Sequence, residues 1–200
     1  MKTNKLNKID IDEVITILKN DGIVAFPTDT VFGLACLCSE FAIKKVYEAK
    51  GRDFNKPLPM MCSGKAMINT VAYINDSNEK LIDKFMPGAI TIIFNKKDDV
   101  ADYITGGKKT IGIRVPDDEW ILKLIDKLQE PILVTSANIS GNGSLLKWND
   151  VYECMNDKID AIVCEDARGD KASTIVDCSN DIKILREGPI SKEEIMDVIR

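Results

Sequence analysis

The chain has 200 residues, 44% of them apolar and 30% charged, a balance that suits one globular domain with its own core. A net charge of −5 and a pI near 5.0 argue against a surface made to hold RNA or DNA through its phosphates. Histidine is absent, which excludes a Ser-His-Asp or Cys-His nucleophile, an imidazole base and a His-ligated metal.

The first residues run into a charged helical pattern rather than an apolar leader. No apolar run approaches the ~20 residues that span a bilayer. A soluble, cytoplasmic protein with no membrane partner is expected.

Asp10 caps an acidic first turn, and Val14, Ile15 and Leu18 follow at helical spacing until Asn20-Asp21-Gly22 stops the helix. Residues 23–26 read as a buried strand ended by Pro27, and 34–38 as a second strand-like run. A helix is predicted over 39–49, then a polar loop over 50–57 and a strand over 58–62. Helices over 64–71 and 77–86 close at Pro87-Gly88. Strands follow over 90–94 and 110–115, and Asp117 or Asp118 caps a helix to about Leu128. Residues 131–134 form another buried strand, ending in the turn 135–141. A helix from Trp148, strands near 160–164, 173–177 and 182–186, and a helix from Ser191 complete the chain. Strands and helices alternate without a repeat or linker, so the class is α/β with a mixed sheet, in a single domain over 1–200.

Six cysteines, Cys36, Cys38, Cys62, Cys154, Cys164 and Cys178, sit mostly in apolar runs and read as reduced, small core residues. Cys36 and Cys38 share a strand face, but no second close pair completes a zinc site.

No Walker pattern and no G-x-G-x-x-G is present. Several strand ends instead carry polar clusters. The loop 27–34, Pro-Thr-Asp-Thr-Val-Phe-Gly-Leu, places hydroxyls around Asp29. Lys50, Arg52 and Lys56 put three cations within seven residues, suited to a polyphosphate or equally to solvent beyond a helix C-terminus. Ser136 and Asn138, with Ser140-Gly141 and Ser144 behind them, offer hydroxyl and amide contacts or a plain turn. Thr110 and Arg114 flank a strand, and Ser173-Thr174 accompanies Arg186.

In order, these clusters carry a family pattern. They run as the 27–34 loop, Lys50-x-Arg52 with Lys56-Pro57-Leu58, Pro87-Gly88-x-x-Thr91, and Gly112-Ile113-Arg114-Val115-Pro116. Ser136-x-Asn138 with Ile139-Ser140-Gly141, Ser173-Thr174-Ile175-Val176-Asp177, and Leu185-Arg186-Glu187-Gly188 follow. Over residues 9–200 this resembles the YrdC/TsaC family in its single-domain form. The resemblance implies a twisted, open mixed sheet flanked by helices, with a concave central cavity. It implies synthesis of L-threonylcarbamoyladenylate from L-threonine, bicarbonate (or carbon dioxide) and ATP, with release of pyrophosphate. The product would serve a downstream transferase complex that modifies tRNA beside the anticodon, with tRNA contacting this chain indirectly or weakly.

By the same resemblance, Lys50, Arg52, Ser136 and Asn138 form the catalytic set around the ATP phosphates. Lys56, Thr110, Ser144 and Arg186 assist with ATP, and Thr30, Arg114 and Ser173 hold threonine. Magnesium accompanies the triphosphate, and Asp29 is a candidate base. Departures fall mainly on the threonine side: Ala89 and Asp53 where prolines are common, Met60-Met61 where some relatives carry a histidine, and Leu145-Leu146 after Ser144. The alternatives are a paralogue of this fold with another carbamoyl or adenylate ligand, and an RNA-binding module.

Overall fold

The computed structural model describes residues 2–199. From the N-terminus, β1 (Asn4–Leu6), a 3-10 turn (Lys8–Asp10), α1 (Ile11–Lys19), β2 (Val24–Phe26) and β3 (Gly33–Cys36) lead to α2 (Glu40–Lys50). Next come β4 (Met60–Met61), α3 (Lys65–Val71), β5 (Ala72–Tyr73), α4 (Asp76–Phe85), β6 (Ile90–Lys96), α5 (Asp102–Thr105) and β7 (Thr110–Arg114). The chain ends through α6 (Glu119–Leu128), β8 (Ile132–Ser136), α7 (Trp148–Met155), β9 (Ala161–Val163), β10 (Thr174–Asp177), β11 (Lys183–Arg186) and α8 (Lys192–Ile199).

The strands form one mixed sheet in the order β1-β9-β2-β3-β8-β4-β7-β6-β10-β11, with β5 paired to β6. β2 and β3 are an antiparallel hairpin in which Phe26 faces Gly33. The loop between them is the Thr28-Asp29-Thr30 segment. Parallel pairs β1/β9, β2/β9, β4/β7 and β6/β10 mix with antiparallel pairs. The α/β mixed sheet flanked by helices is therefore as the sequence reading expects.

Local chemistry explains the helix ends. Ser39 accepts a hydrogen bond from Ala42 N at 3.1 Å and starts α2. Gly51, at φ 57°, ends it in the left-handed region. Gly51 N donates to Glu48 O and Arg52 N to Tyr47 O, a Schellman-type closure that turns the chain sharply after Lys50. Asp118 caps α6 by accepting from Trp120 N at 3.0 Å and Ile121 N at 3.1 Å.

Strand alternation splits the sheet into two apolar faces. On one, Ala25, Leu34, Cys36, Met60, Ile92, Phe94, Ile113, Leu133 and Val176 pack beneath α2, α3, α4, α7 and α8. On the other, Val24, Phe26, Ala35, Ile132, Val134 and Val163 pack beneath Val14 and Leu18 of α1 and Ile121, Leu124, Ile125 and Leu128 of α6. This second cluster stops at Met61 of β4 and takes nothing from β7, β6, β10 or β11. Half of that face is left uncovered, and the cavity lies there.

Two differences from expectation have simple causes. Residues 4–6 form an edge strand on β9 rather than part of a helical pattern, and only Leu6 of the three is buried. Three residues are too few to show a period. The short β5 and α5 likewise carry no periodic signal.

Leu124 is fully buried between α6 and the sheet. Leu124→Ala is expected to lower unfolding free energy by about 2–5 kcal/mol in urea titration. A loss below ~1 kcal/mol would mean that α6 does not anchor this face.

Candidate functional site: a cation-lined cavity on the open half of the sheet

The uncovered half of the face forms the floor of a cavity of about 350 Å3. Alternation sets most of the strand side chains that reach it, and Ile111 and Thr135 line it as well. Thr91 and Ile93 of β6, Thr110, Gly112 and Arg114 of β7, Ser136 of β8 and Ile175 of β10 line it. Arg52 and Pro57 come from the loop after α2, Thr105 and Lys108 from the segment after α5, and Ser144, Ser173 and Arg186 from further along the chain. Among the described residues, the lining contains four cations, Arg52, Lys108, Arg114 and Arg186, and no carboxylate.

Arg114 is 4% exposed, and the protein uses three of its five N–H donors. Nε donates to Gly88 O at 3.0 Å, Nη1 to Thr30 Oγ1 at 2.7 Å and Nη2 to Asp29 Oδ2 at 2.7 Å. One donor on each terminal nitrogen is left. Burial lowers the Arg114 pKa, partly offset by Asp29, while the charge of Arg186 adds to the lowering. The Asp29 carboxylate also accepts from Asp117 N at 3.1 Å, and its Oδ1 is buried without a partner.

The loop carrying Thr30 is tied from within and from outside. Thr28 Oγ1 donates to Val31 O at 2.7 Å and accepts from Thr30 N at 3.0 Å. Gly169 packs directly on it: a Cβ there would sit 2.5 Å from Thr30 O and 2.6 Å from Asp29 O. Ser173 and Thr91 share a hydrogen bond of 2.8 Å between their hydroxyls. Arg186 donates to Ser173 O from Nε at 3.0 Å and Nη2 at 2.8 Å.

Arg52 donates to Lys56 O at 3.1 Å and Pro57 O at 3.2 Å, which folds the loop 50–57 back on itself. Lys50 behaves differently. It is 1% exposed and does not line the cavity. Its Nζ donates to Ser136 O, to Asn138 O at 2.7 Å and to Asn138 Oδ1 at 3.4 Å.

Of the residues singled out from sequence, Thr30, Arg52, Thr110, Arg114, Ser136, Ser144, Ser173 and Arg186 share the cavity. Lys50 and Asn138 lie behind its wall, Lys56 is exposed outside it, and Asp29 stands behind Arg114. Sequence reasoning passed over Thr105 and Lys108. The available signal was Gly106-Gly107 before Lys108, two glycines at φ 58° and 78° that bend the chain over the cavity. The six cysteines are all unpaired thiols. Burial pushes Cys38 and Cys62 up to about 12 and Cys36 higher still, so they behave as core residues.

A half-covered α/β sheet with an anion-seeking cavity defines a class of small-ligand site proteins. Within that class, the Sua5/YciO/YrdC family model, described as "Telomere recombination", matches residues 16–188, and the chain belongs to this family. It is 38% identical to the putative threonylcarbamoyl-AMP synthase of Methanocaldococcus jannaschii, covering 96% of this chain and 95% of that one. It is 36% identical to the threonylcarbamoyl-AMP synthase of Bacillus subtilis, covering 96% of this chain and 57% of the relative. The structure of Pyrococcus abyssi Sua5 complexed with L-threonine matches with a TM-score of 0.92 at 33% identity, over 100% of this chain and 61% of that one. The chain thus spans nearly all of one relative and little more than half of the longer ones. Among the described residues, no helix is long and apolar enough to cross a membrane.

Burial, then the charge of Arg52, lowers the Lys50 ammonium from 10.5 to about 8, with Cys154 on α7 acting slightly against them. Between those values the unfolded chain holds more protons than the folded one, so stability rises with pH through that window. Relative to Lys50→Met, the wild-type chain is expected to gain on the order of 2 kcal/mol from the lower to the upper end. Urea unfolding of both proteins across the window checks this, and a pH-independent difference would refute it.

Proposed function

We propose that this protein makes L-threonylcarbamoyladenylate from L-threonine, bicarbonate and ATP and releases pyrophosphate. The observation that carries the reading is the cavity: cations and hydroxyls from seven separated segments, with no carboxylate to oppose a polyanion. The named synthase relatives, one matched along nearly its whole length, support the same activity.

Arg52, Lys108 and Arg186 are the cations for the phosphates, with Thr110, Ser136 and Ser144 supplying hydroxyls. Guanidinium forks suit phosphate oxygens, and lysine adds a point charge. Arg114 takes the threonine carboxylate on its two remaining donors, one on each terminal nitrogen, beside Thr30 and Ser173. The lining offers hydroxyls rather than carboxylates, which fits magnesium carried on the phosphate oxygens, where it would neutralise part of their charge.

Threonine's amine and bicarbonate give a carbamate and water. A carbamate oxygen then attacks the α-phosphorus, and the bond to the pyrophosphate leaving group breaks. This chemistry needs positioning and charge neutralisation rather than a covalent protein nucleophile, in keeping with a chain that lacks histidine. The cations stabilise charge that develops on the departing pyrophosphate. Asp29, the candidate base, stands behind Arg114 and outside the lining, so bicarbonate or a phosphate oxygen is the acceptor offered to the amine proton. The adenylate would pass to a separate transferase acting on tRNA.

Incubation with labelled bicarbonate, ATP and magnesium is expected to release pyrophosphate and form a labelled adenylate only when L-threonine is present. ATP binding without threonine-dependent release, at high protein concentration, would point to a paralogue with another ligand. Arg114→Lys keeps the charge and loses the fork. It is expected to raise KM for threonine about tenfold to a hundredfold, with KM for ATP changing much less. Steady-state kinetics in each substrate separates the two, and an equal rise in both would sink the assignment.

A further inference from the structure

We infer that Lys50 and Asn138 are positioning residues: their side chains build the loop that brings Ser136 and Ser144 to the cavity, and neither bonds the triphosphate. The inference deepens the synthase reading and rests on it for the identity of the ligand.

The argument is a count of donors. A lysine ammonium has three N–H bonds and no acceptor. Three acceptors surround Lys50 Nζ, namely Ser136 O, Asn138 O at 2.7 Å and Asn138 Oδ1 at 3.4 Å. None of its donors is left for a phosphate. Both amide donors of Asn138 are likewise used, and the residue is 5% exposed. Its Nδ2 donates to Ile139 O at 2.9 Å and Asn142 O at 2.8 Å, while its Oδ1 faces Lys50. Backbone bonds close the same knot, with Ser140 N on Lys50 O at 2.9 Å and Ala137 N on Phe32 O at 2.8 Å.

The alternative is that Lys50 swings out to a phosphate. That motion would leave Asn138 O and Asn138 Oδ1 without their donor, each costing about 1–3 kcal/mol where buried, and would take from Ser136 O one of its two donors. Arg52, Lys108 and Arg186 already line the cavity without such a cost. The Schellman closure at Gly51 is what sends residues 50 and 52 different ways: Lys50 ends the helix facing the 136–142 loop, and Arg52 emerges at the cavity.

The test uses Lys50→Gln, Asn138→Ala, their double variant and Arg52→Gln, each without substrates and then with inorganic pyrophosphate. Hydrogen exchange of amides 136–144 reads the loop, calorimetry reads pyrophosphate binding, and steady-state kinetics reads KM for each substrate. Lys50→Gln and Asn138→Ala are each expected to speed exchange across 136–144 and weaken pyrophosphate binding about tenfold. The double variant should be no worse than either single, because both dismantle one loop. KM for ATP should rise while KM for threonine stays near wild type. Arg52→Gln should weaken pyrophosphate binding with exchange unchanged. Weakened binding in Lys50→Gln with wild-type exchange, or losses that multiply in the double variant, would overturn the inference and make Lys50 a direct phosphate contact. Should Lys50→Gln fail to fold, Asn138→Ser carries the same readouts. Exchange and pyrophosphate binding need no threonine and no turnover, so failure of the synthase reading would show separately, as absent threonine-dependent release.

Discussion

The structure depends on one sheet face being covered over only half its width. α1 and α6 settle on the apolar side chains that β9, β2, β3 and β8 present, and their cover ends near Met61. Across β7, β6 and β10 the same face sets Thr91, Thr110, Gly112 and Arg114 among Ile93 and Ile175, with Ser173 just before β10. A helix laid over that stretch would strand hydroxyls and a guanidinium away from water, at a cost that apolar contact could not offset. The opposite face presents apolar side chains from β2 across to β10 and takes five helices. The concavity is therefore what remains when a continuous sheet has a discontinuous apolar surface.

Electrostatics follows from how the cations are held. Arg52 rests on the carbonyls of Lys56 and Pro57, and Arg186 on that of Ser173. Carbonyls fix a guanidinium's direction without cancelling its charge. Among the described residues, Arg114 alone of the four has a carboxylate partner, Asp29, and the pairing leaves one donor free on each terminal nitrogen. A protein with net charge −5 thus keeps a positive cavity because its acids lie elsewhere, and a concave wall concentrates that potential. Lys50 adds to this field from behind the wall, through space rather than by contact.

Much of the scaffold was legible because its signals are local. The Asp118 cap, the Ser39 start of α2, the apolar period of α6 and the β-rich runs of β6 and β7 each depend on a few neighbouring residues. β1, β5 and α5 were not legible, since two to four residues carry no period and their form is imposed by a partner element. In the site, the polar residues on strands β7 and β8 could be placed by alternation. Lys108 could not, because Gly106-Gly107 marks a turn before it without separating a cavity rim from a solvent turn.

By itself, the sequence determined the order of the longer strands and helices and the chain's family, since propensity, capping and motif order are all written along the chain. Only the tertiary structure decided which polar residues face the ligand space. Lys50 and Arg52 are two apart and read alike as cations, yet one is buried against carbonyls 86 and 88 residues away and the other opens onto the cavity. The reason is physical. A side chain's direction at the end of a helix is set by the turn that follows and by the acceptors that distant segments bring to it, and those acceptors exist only once the sheet has assembled.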